Sequence, residues 1–393
     1  MSGIKEHQRR RARRRRRRRI RRIIYGSLGL CLCLCIALAI RLALGQKSKE
    51  PADTKDPKAT AQEEIDTSQV EVTNLVINTK EAKSDEPIQI TVSSMGDCTL
   101  GTDENFNPST SFNAYYNAQG PDYFFKNVRS ILEEDDLSII NLEGTFTDSD
   151  QRQEKTFAFK ADPEYVSILT GSSIEAANLA NNHSRDYGEE SYTDTVETLE
   201  QAGIASFGYD QVDILEVNGV KVGLTGIYEL AEHLDKQEEV RTNIAALKEA
   251  GAQVIIVNFH WGIEKEYLPN DTQKTLAHLA IDEGADLVIG HHPHVLQGIE
   301  RYKGKYIAYS LGNFSFGGNS NPSDKDTMIF QQTFTVQDGK VEVNDDINVI
   351  PCSLSSASGY NDYCPTPLEG SEKERVLEKL KEYSANFEDA PDL

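Results

Sequence analysis

Alternating strand and helix patterns followed by a run of strands predict a layered α/β (α+β) domain behind one membrane-spanning helix. Three observations carry that reading. An 18-residue stretch without a charge, Ile23–Ile40, follows an arginine tract. Apolar strand-like runs then recur from about residue 88 onward, separated by segments with helical spacing. From Gly304 to Ile350 the runs follow one another with only turns between them.

The N-terminal elements come first. Residues 1–22 hold 12 Arg and one Lys, unbroken from Arg13 to Arg19. The apolar stretch that follows is extended by Ile20 and by Leu42–Leu44. In a helix, at ~1.5 Å per residue, it is long enough to approach a ~30 Å hydrocarbon core. Arg41 then sits near the outer boundary, where its long stem lets the charge reach water. The positive-inside rule puts residues 1–22 in the cytoplasm, one span at 23–44 in the cell membrane, and the rest outside. Ala37–Ala39 also resembles a signal-peptide cleavage site. The apolar core exceeds the usual ~7–15 residues, which favours an uncleaved anchor.

Residues 45–86 are charged, with two Pro and no aromatic residue, and read as a flexible stalk with room for one short strand at Val70–Ile77. The folded domain is expected over 87–365. Pro87–Asp97 alternates and then stops at Gly96-Asp97, a strand delivering an acid to a loop. Asp122–Asp135 has helical spacing, and Leu137–Gly144 is a short strand. Ile174–His183 is a strand entering a polar loop, and Glu189–Gly203 is a helix ended by Gly203. Val217–Ile227 reads as a hairpin arm turning at Asn218-Gly219. Ala252–Gly262 is a buried strand, Asp271–Ala285 a helix, and Asp286–His294 a strand opening into a loop. Gly304–Phe316, Thr327–Val336 and Gly339–Ile350 read as antiparallel strands. The region 366–393 is a terminal helix and tail, with Ser371 and Glu374 in capping-box spacing.

The totals of 41 basic and 63 acidic residues hide an asymmetry. Residues 1–45 carry 14 Lys/Arg against Glu6 alone, or +13, which leaves 27 against 62, or −35, for the remainder. An outer part this acidic repels nucleic acid, and an anionic polymer approaches it only through bound cations or a local basic patch. Cys31, Cys33 and Cys35 alternate inside the apolar segment and read as small apolar residues. Cys352 and Cys364 bracket a Ser/Gly/Asn/Pro-rich loop and are expected to pair in an oxidising compartment, leaving Cys98 alone.

Most core strands end in residues of types that can bind metal. Asp97, then Asn141 and Glu143, then Asn181, Asn182 and His183, then His260, then His291, His292 and His294 each follow an apolar run. Loops beyond buried strand ends are where α/β folds place ligand sites. Taken singly, each has an ordinary explanation as a turn residue, a solvated acid or a satisfied core histidine. Jointly they do not: five of the seven histidines beyond residue 22 fall at strand ends. Oxygen and imidazole donors without thiolate suit Mn, Fe or Zn. On an extended segment His292 and His294 project to one side, with His291 pointing away or toward substrate.

The segments GDCTLG, NLEG, NNHSRDYG, HWGIE, GHHPHVLQG and SLGNF occur in the order that marks the poly-γ-glutamate capsule biosynthesis family, CapA. The resemblance spans roughly Ile88 to Ile350 and the terminal helix, and that family is similar to the calcineurin-like metallophosphoesterases. It implies a β-sandwich core flanked by helices and a divalent centre, commonly of two ions. Asp97, Glu143, Asn182, His260, His292 and His294 are then the implied metal ligands and His183 the implied catalytic histidine. Asn141, His291 and Asn313 are expected to face substrate. Two departures touch the metal site: Cys98 and Thr99 stand where Asp-x-His is usual, and Asn-Leu-Glu replaces a Gly-Asp motif.

Two functions follow from this reading. One is a metal-dependent hydrolase acting on a phosphoester or an anionic polymer. The other is a non-catalytic component that holds or guides polymer for membrane-bound synthase or ligase subunits. The absence of a dense basic run after Lys49 favours a compact metal-centred site over a broad polymer-binding surface.

Overall fold

In the structure, a computed structural model, residues 65–78, 87–342 and 346–393 are described. The arginine tract, the expected span at 23–44 and most of the stalk lie outside the described residues. Among those described, no helix is long and apolar enough to cross a membrane.

The strands of the first half are β1 (Glu71–Asn78), β2 (Ile88–Thr99), β3 (Leu137–Leu142), β4 (Thr145–Phe146), β5 (Lys160–Ala161), β6 (Ala176–Asn178), β7 (Ala205–Phe207), β8 (Gln211–Val217) and β9 (Val220–Tyr228). Those of the second half are β10 (Val254–His260), β11 (Leu287–His291), β12 (Ile299–Tyr302), β13 (Lys305–Ala308), β14 (Asn313–Phe316), β15 (Asp326–Gln337), β16 (Lys340–Val341), β17 (Ile347–Ser353) and β18 (Thr366–Pro367). The α-helices are α1 (Phe112–Gln119), α2 (Arg129–Leu132), α3 (Val166–Thr170), α4 (Gly188–Gln201), α5 (Gln237–Glu249), α6 (Asp271–Glu283) and α7 (Gly370–Ser384).

One sheet has seven strands in the order β1-β8-β9-β10-β11-β13-β12. The other has nine, ordered β18-β17-β15-β2-β3-β6-β7, with β14 also on β2 and β16 on β15. Strands β9, β10, β11 and β13 run parallel, as do β2, β3, β6 and β7. The sequence shows why. Strands such as β3 and β10 are buried along their whole length and read as near-continuous apolar runs, the pattern of parallel strands covered on both faces. Strand β15 instead alternates over its second half and pairs antiparallel with β2 and β17.

Three apolar clusters define the layers. The first joins Ile90, Val92 and Ile139 of one sheet to Leu215, Val222, Ile256 and Ile289 of the other. The second places Phe112, Leu132, Ile168 and Leu199 of α1–α4 on the outer face of the nine-stranded sheet. The third places α5 and α6 on the outer face of the seven-stranded sheet through Ile244, Leu247, Leu276 and Ile281. The layered α/β expectation therefore holds, as two sheets between two helical layers. Helix α7 packs Val376 and Leu380 into the cluster between the sheets and is pinned by Arg375 and Lys379, which bind Asp326 at 2.7–2.9 Å.

Several details differ from the sequence reading. The short strand allowed for at Val70–Ile77 forms as β1, but as part of the folded sheet rather than of a stalk: it pairs in parallel with β8, with Val72 on the helical side and Leu75 and Ile77 between the sheets. Alternating apolar residues let a polar segment add an edge strand. Asp122–Asp135 forms only a 3-10 turn and the single turn α2. Burial of Phe124 against Phe112, with ring centroids 4.1 Å apart, and of Phe125 beside Phe314 overrides local helical spacing there. The Ser371/Glu374 capping box is absent, since α7 begins at Gly370; the box that forms is Asn270–Gln273, at the start of α6. Gly304–Phe316 is split between the sheets, β13 lying parallel to β11 and β14 parallel to β2. The Asn218-Gly219 turn forms as read, with φ of 51° and 83°.

Cys352 and Cys364 are free thiols, as is Cys98, and all three are buried. The expected bridge fails because the sulfurs face different neighbours: Cys352 the Ile350 carbonyl, Cys364 the Tyr123 carbonyl and Asn127. The loop between them closes instead around Asp362, which accepts from Ser355 and Ser356. Burial raises the Cys352 thiol to about 12 and that of Cys364 to about 11. Maleimide labelling read by peptide mass spectrometry should therefore find all three unreactive in the native chain and all three reactive after denaturation without reductant. Protection of both Cys352 and Cys364 under denaturing conditions would restore the bridge.

Asp213 on β8 is 3% exposed and its Oδ1 has no hydrogen-bond partner. Burial, with the charge of Glu71 adding, pushes its carboxyl up to about 7. A folded value above the ordinary ~3.9 means the associated stability is complete below that pH and is lost as pH rises through 7. Asp213→Asn should leave the melting temperature nearly unchanged at pH 4.5 and raise it by several degrees at pH 8, about 2–4 kcal/mol. An equal gain at both pH values would sink this account.

Candidate metal centre

Two rows of polar residues meet where the strands of both sheets end. Across the nine-stranded sheet, Asn313 of β14 stands in register with Asp97 of β2, Asp97 with Asn141 of β3, and Asn141 with Asn178 of β6. Across the seven-stranded sheet, His260 of β10 stands beside His291 of β11. The crossing of β13 to β14 makes this possible. A Cβ on Gly96 would lie 2.1 Å from the Gly312 carbonyl oxygen, which accepts from Asp97 N at 2.9 Å, so only glycine lets these segments approach so closely.

Asn141 is the hub of the first row. Its Nδ2 donates to Asp97 Oδ1 at 2.8 Å and lies 3.2 Å from His260 Nδ1. Its Oδ1 accepts from Asn178 and Asn181 at 2.9 and 3.3 Å. Asp97 Oδ2 accepts from the His292 backbone N–H at 3.2 Å and faces His294 Nδ1 at 3.2 Å. Burial alone would raise the Asp97 carboxyl, but the bond and charge of His294, with His291 and Asn141, hold it below its ordinary value.

Glu143, just past β3, is fully buried, and neither carboxylate oxygen has a hydrogen-bond partner. Around its Oε1 stand the Nε2 atoms of His260, His294 and His183 at 3.7, 3.8 and 3.9 Å. Burial drives its carboxyl well above the ordinary value, with Asp97 adding to that and His294 opposing it. His294 works the other way. Burial would lower it, but Glu143 and then Asp97 raise it to about 10. Burial brings His292 down to about 3 and His291 to about 4, and drives His260 well below the usual imidazole range. Burial thus favours the neutral form of His260, His291 and His292, while the two carboxyl groups favour a proton on His294 that the ring must give up to ligate a cation.

Those features fit a divalent ion. Glu143, His292 and His294 present ligand atoms within 4.8 Å of one another. His292 Nδ1 is buried without a hydrogen-bond partner, as are both Glu143 oxygens. Buried polar atoms left unpaired are costly, and a cation resolves that cost. Asn182 Oδ1 sits 2.7 Å from His260 Nε2, so it joins the same group.

His183 approaches from the loop after β6. Its Nδ1 lies 2.7 Å from Asp186 Oδ2 and 3.3 Å from Lys155 Nζ, and Phe159 packs on its ring with centroids 4.6 Å apart. Asp186 is itself fixed by Lys155 at 2.6 Å and by the Phe159 N–H at 2.6 Å. The partner at Nδ1 orients Nε2 toward Glu143. Burial, outweighing Asp186, keeps the ring below its ordinary pKa.

All six sequence-expected ligands and His183 therefore converge. Asn141, His291 and Asn313, expected to face substrate, are buried like the rest of the cluster and pair with its side chains. Asn313 accepts or shares a proton with His294 Nδ1 at 2.8 Å, and His291 sits between Asn258 and Asp97. In these contacts they buttress the carboxylate and imidazoles of the cluster. The extended His-x-His geometry also fails, since His292 and His294 have φ of 93° and 57° and the strand stops at His291. The pair meets through this left-handed turn instead. Cys98 is not a ligand; its thiol is buried, its pKa raised, and it points at the Gly96 carbonyl. Thr99 Oγ1 is buried without a partner. Sequence reasoning missed Asp186, although it stands three residues after His183, and Lys155, which lies in no recognisable pattern.

Fold and centre together define a layered α/β protein whose parallel strands deliver a buried carboxylate–imidazole cluster. Residues 91–318 match the family described as Bacterial capsule synthesis protein PGA_cap. The capsule biosynthesis protein CapA of Bacillus anthracis is 30% identical over 291 residues, covering 67% of this chain and 68% of that one. The PGA biosynthesis protein CapA of Bacillus subtilis (strain 168) is 31% identical over 219 residues, covering 50% and 58%. A probable polyglutamine synthesis accessory protein of Mycobacterium tuberculosis is 32% identical over 211 residues, covering 45% and 55%. A solved hypothetical protein from Thermus thermophilus has a TM-score of 0.39 and 15% identity over 67% of this chain and 98% of that one, too loose a likeness to bear on the fold. The chain belongs to the CapA family of poly-glutamate capsule synthesis proteins.

Proposed function

We propose that this chain is a membrane-anchored, extracytoplasmic capsule-synthesis protein with a metal-dependent hydrolytic centre of the calcineurin-like phosphoesterase type. The observation that carries the reading is Glu143, a buried carboxylate with both oxygens unpaired amid three imidazole nitrogens. Asp97, Glu143, Asn182, His260, His292 and His294 would hold Mn, Fe or Zn, in one or two ions. A bound divalent ion would supply Lewis acidity toward a phosphoryl oxygen and a water of lowered pKa. His183 stands apart from that group as a proton donor to the leaving oxygen, oriented by Asp186. Asn141 and Asn313 keep their neighbours in register. Partners on this reading are the membrane and the synthase or ligase subunits that make the polymer.

Thr99 favours a second reading. A histidine is usual there in related phosphoesterases, and its loss removes a donor beside Asp97, which suits a non-catalytic centre that stabilises a polymer-handling scaffold. Metal analysis of the purified full-length chain, with a phosphoester assay on the same sample, separates the two. Bound metal with hydrolysis supports the enzyme, bound metal without it the scaffold, and no metal retained at any divalent ion supplied sinks both.

A further inference from the structure

A cavity of about 380 Å³ lies between the loop at 105–111, Phe157, and the loop at 318–320. Its lining holds no carboxylate, lysine or arginine; it offers the carboxamides of Asn105, Asn107 and Asn319 beside the rings of Phe106, Phe157 and Tyr363. The side-chain oxygens of Asn107 and Asn319 are used within their own turns, accepting from Ser109 N and Asn321 N, which leaves their amide nitrogens for a ligand.

Buried polar side chains fix these walls. Asp103 accepts from Asn105 N at 2.8 Å, Ala158 N at 2.7 Å and Arg152 at 2.8 Å, tying the first loop to the residue after Phe157. Asn361, 2% exposed, donates to the Phe316 and Asn319 carbonyls at 2.8 and 2.9 Å. The Tyr363 hydroxyl donates to Thr110 O at 2.6 Å. Phe157 nevertheless keeps 48% of its surface in water. Its ring lies parallel to Phe159, with centroids 6.3 Å apart, and Phe159 is the ring that packs on His183.

A fixed, uncharged, aromatic-walled pocket is poorly suited to a polyanion, because no cation lines it to balance carboxylates or phosphates. It suits a sugar. The C–H face of a pyranose lies on an aromatic ring while its hydroxyl and acetamido groups pair with carboxamides, and the volume falls in the range of small-ligand sites. We infer that this pocket binds a neutral glycan, held beside the metal centre across the wall formed by Phe157 and Phe159. The inference does not depend on the centre being catalytic.

Calorimetric titration of the full chain with the fully N-acetylated tetramer N-acetylchitotetraose (chitotetraose below), a neutral acetamido-sugar, tests it, with tetra-γ-glutamate as the anionic comparison. Chitotetraose should bind, and Phe157→Ala and the double variant Asn107→Ala/Asn319→Ala should each weaken it about tenfold or more. His292→Ala should bind it as the parent does, which separates this pocket from the metal centre. No binding of chitotetraose, binding untouched by both pocket variants, or tetra-γ-glutamate binding that is lost with Phe157→Ala would each overturn the inference.

Discussion

Alanine at His292 or His294 is expected to release the bound ion, with metal affinity falling about 100-fold or more, while the chain stays folded. Loss of residues that merely orient ligands costs ~10–100-fold, so loss of a ligand itself should cost at least the upper end. Both residues sit beyond the end of β11 and neither belongs to the three apolar clusters that define the layers. The two variants should differ in the absence of metal. His294 is the imidazole that faces both Asp97 and Glu143, so its removal leaves two buried carboxyl groups without that partner. His292 is neutral and carries no such burden. Stripped of metal, His294→Ala should melt lower than His292→Ala. His291→Ala should keep its ion, because that ring is engaged with Asn258 and Asp97 rather than with Glu143. Elemental analysis per chain, paired with circular dichroism, reads all three. A set in which His291→Ala empties the centre and His292→Ala does not would show that the ligand assignment is off by one.

The centre was legible because parallel strands write their burial into the sequence. A fully covered strand is an apolar run, and the first polar residue after it lies at the sheet's end, so Asp97, Glu143, Asn182, His260 and His292 could be placed together without knowing the strand order. Their roles were harder to assign. Whether Asn141 meets substrate or holds Asp97 depends on whether a layer covers it, and that layer includes His260, 119 residues away. The His292 and His294 rings do lie together, but through a left-handed turn rather than the extended segment expected, since either geometry can bring the same two rings together. Boundaries failed where tertiary burial competed with local pattern, as at Phe124 and Phe125. The missing disulfide belongs to the same class: sequence proximity of Cys352 and Cys364 cannot reveal that Asp362 organises the loop between them. Lys155 carried no signal, since a single lysine in a polar loop becomes meaningful only beside Asp186 and His183.

His183→Ala is expected to lower phosphoester hydrolysis by about 10²–10⁴-fold while the ion remains bound. The ring is placed for proton transfer rather than for metal ligation alone. Its Nδ1 is taken by Asp186, and Phe159 fixes the ring plane, so Nε2 is the atom presented to the centre. A structural role would be lost equally for every substrate, whereas a proton donor matters in proportion to the basicity of the leaving oxygen. The decisive comparison is therefore a p-nitrophenyl ester, whose leaving group departs without a proton, against an alkyl phosphoester, whose leaving group cannot. The alkyl substrate should show most of the loss in kcat and the p-nitrophenyl substrate little of it. Asp186→Asn should fall between the parent and His183→Ala on the alkyl substrate, since the amide can still accept from Nδ1 but no longer stabilises a charged ring. Equal losses on both substrates, or loss of metal from His183→Ala, would move His183 from proton donor to ligand.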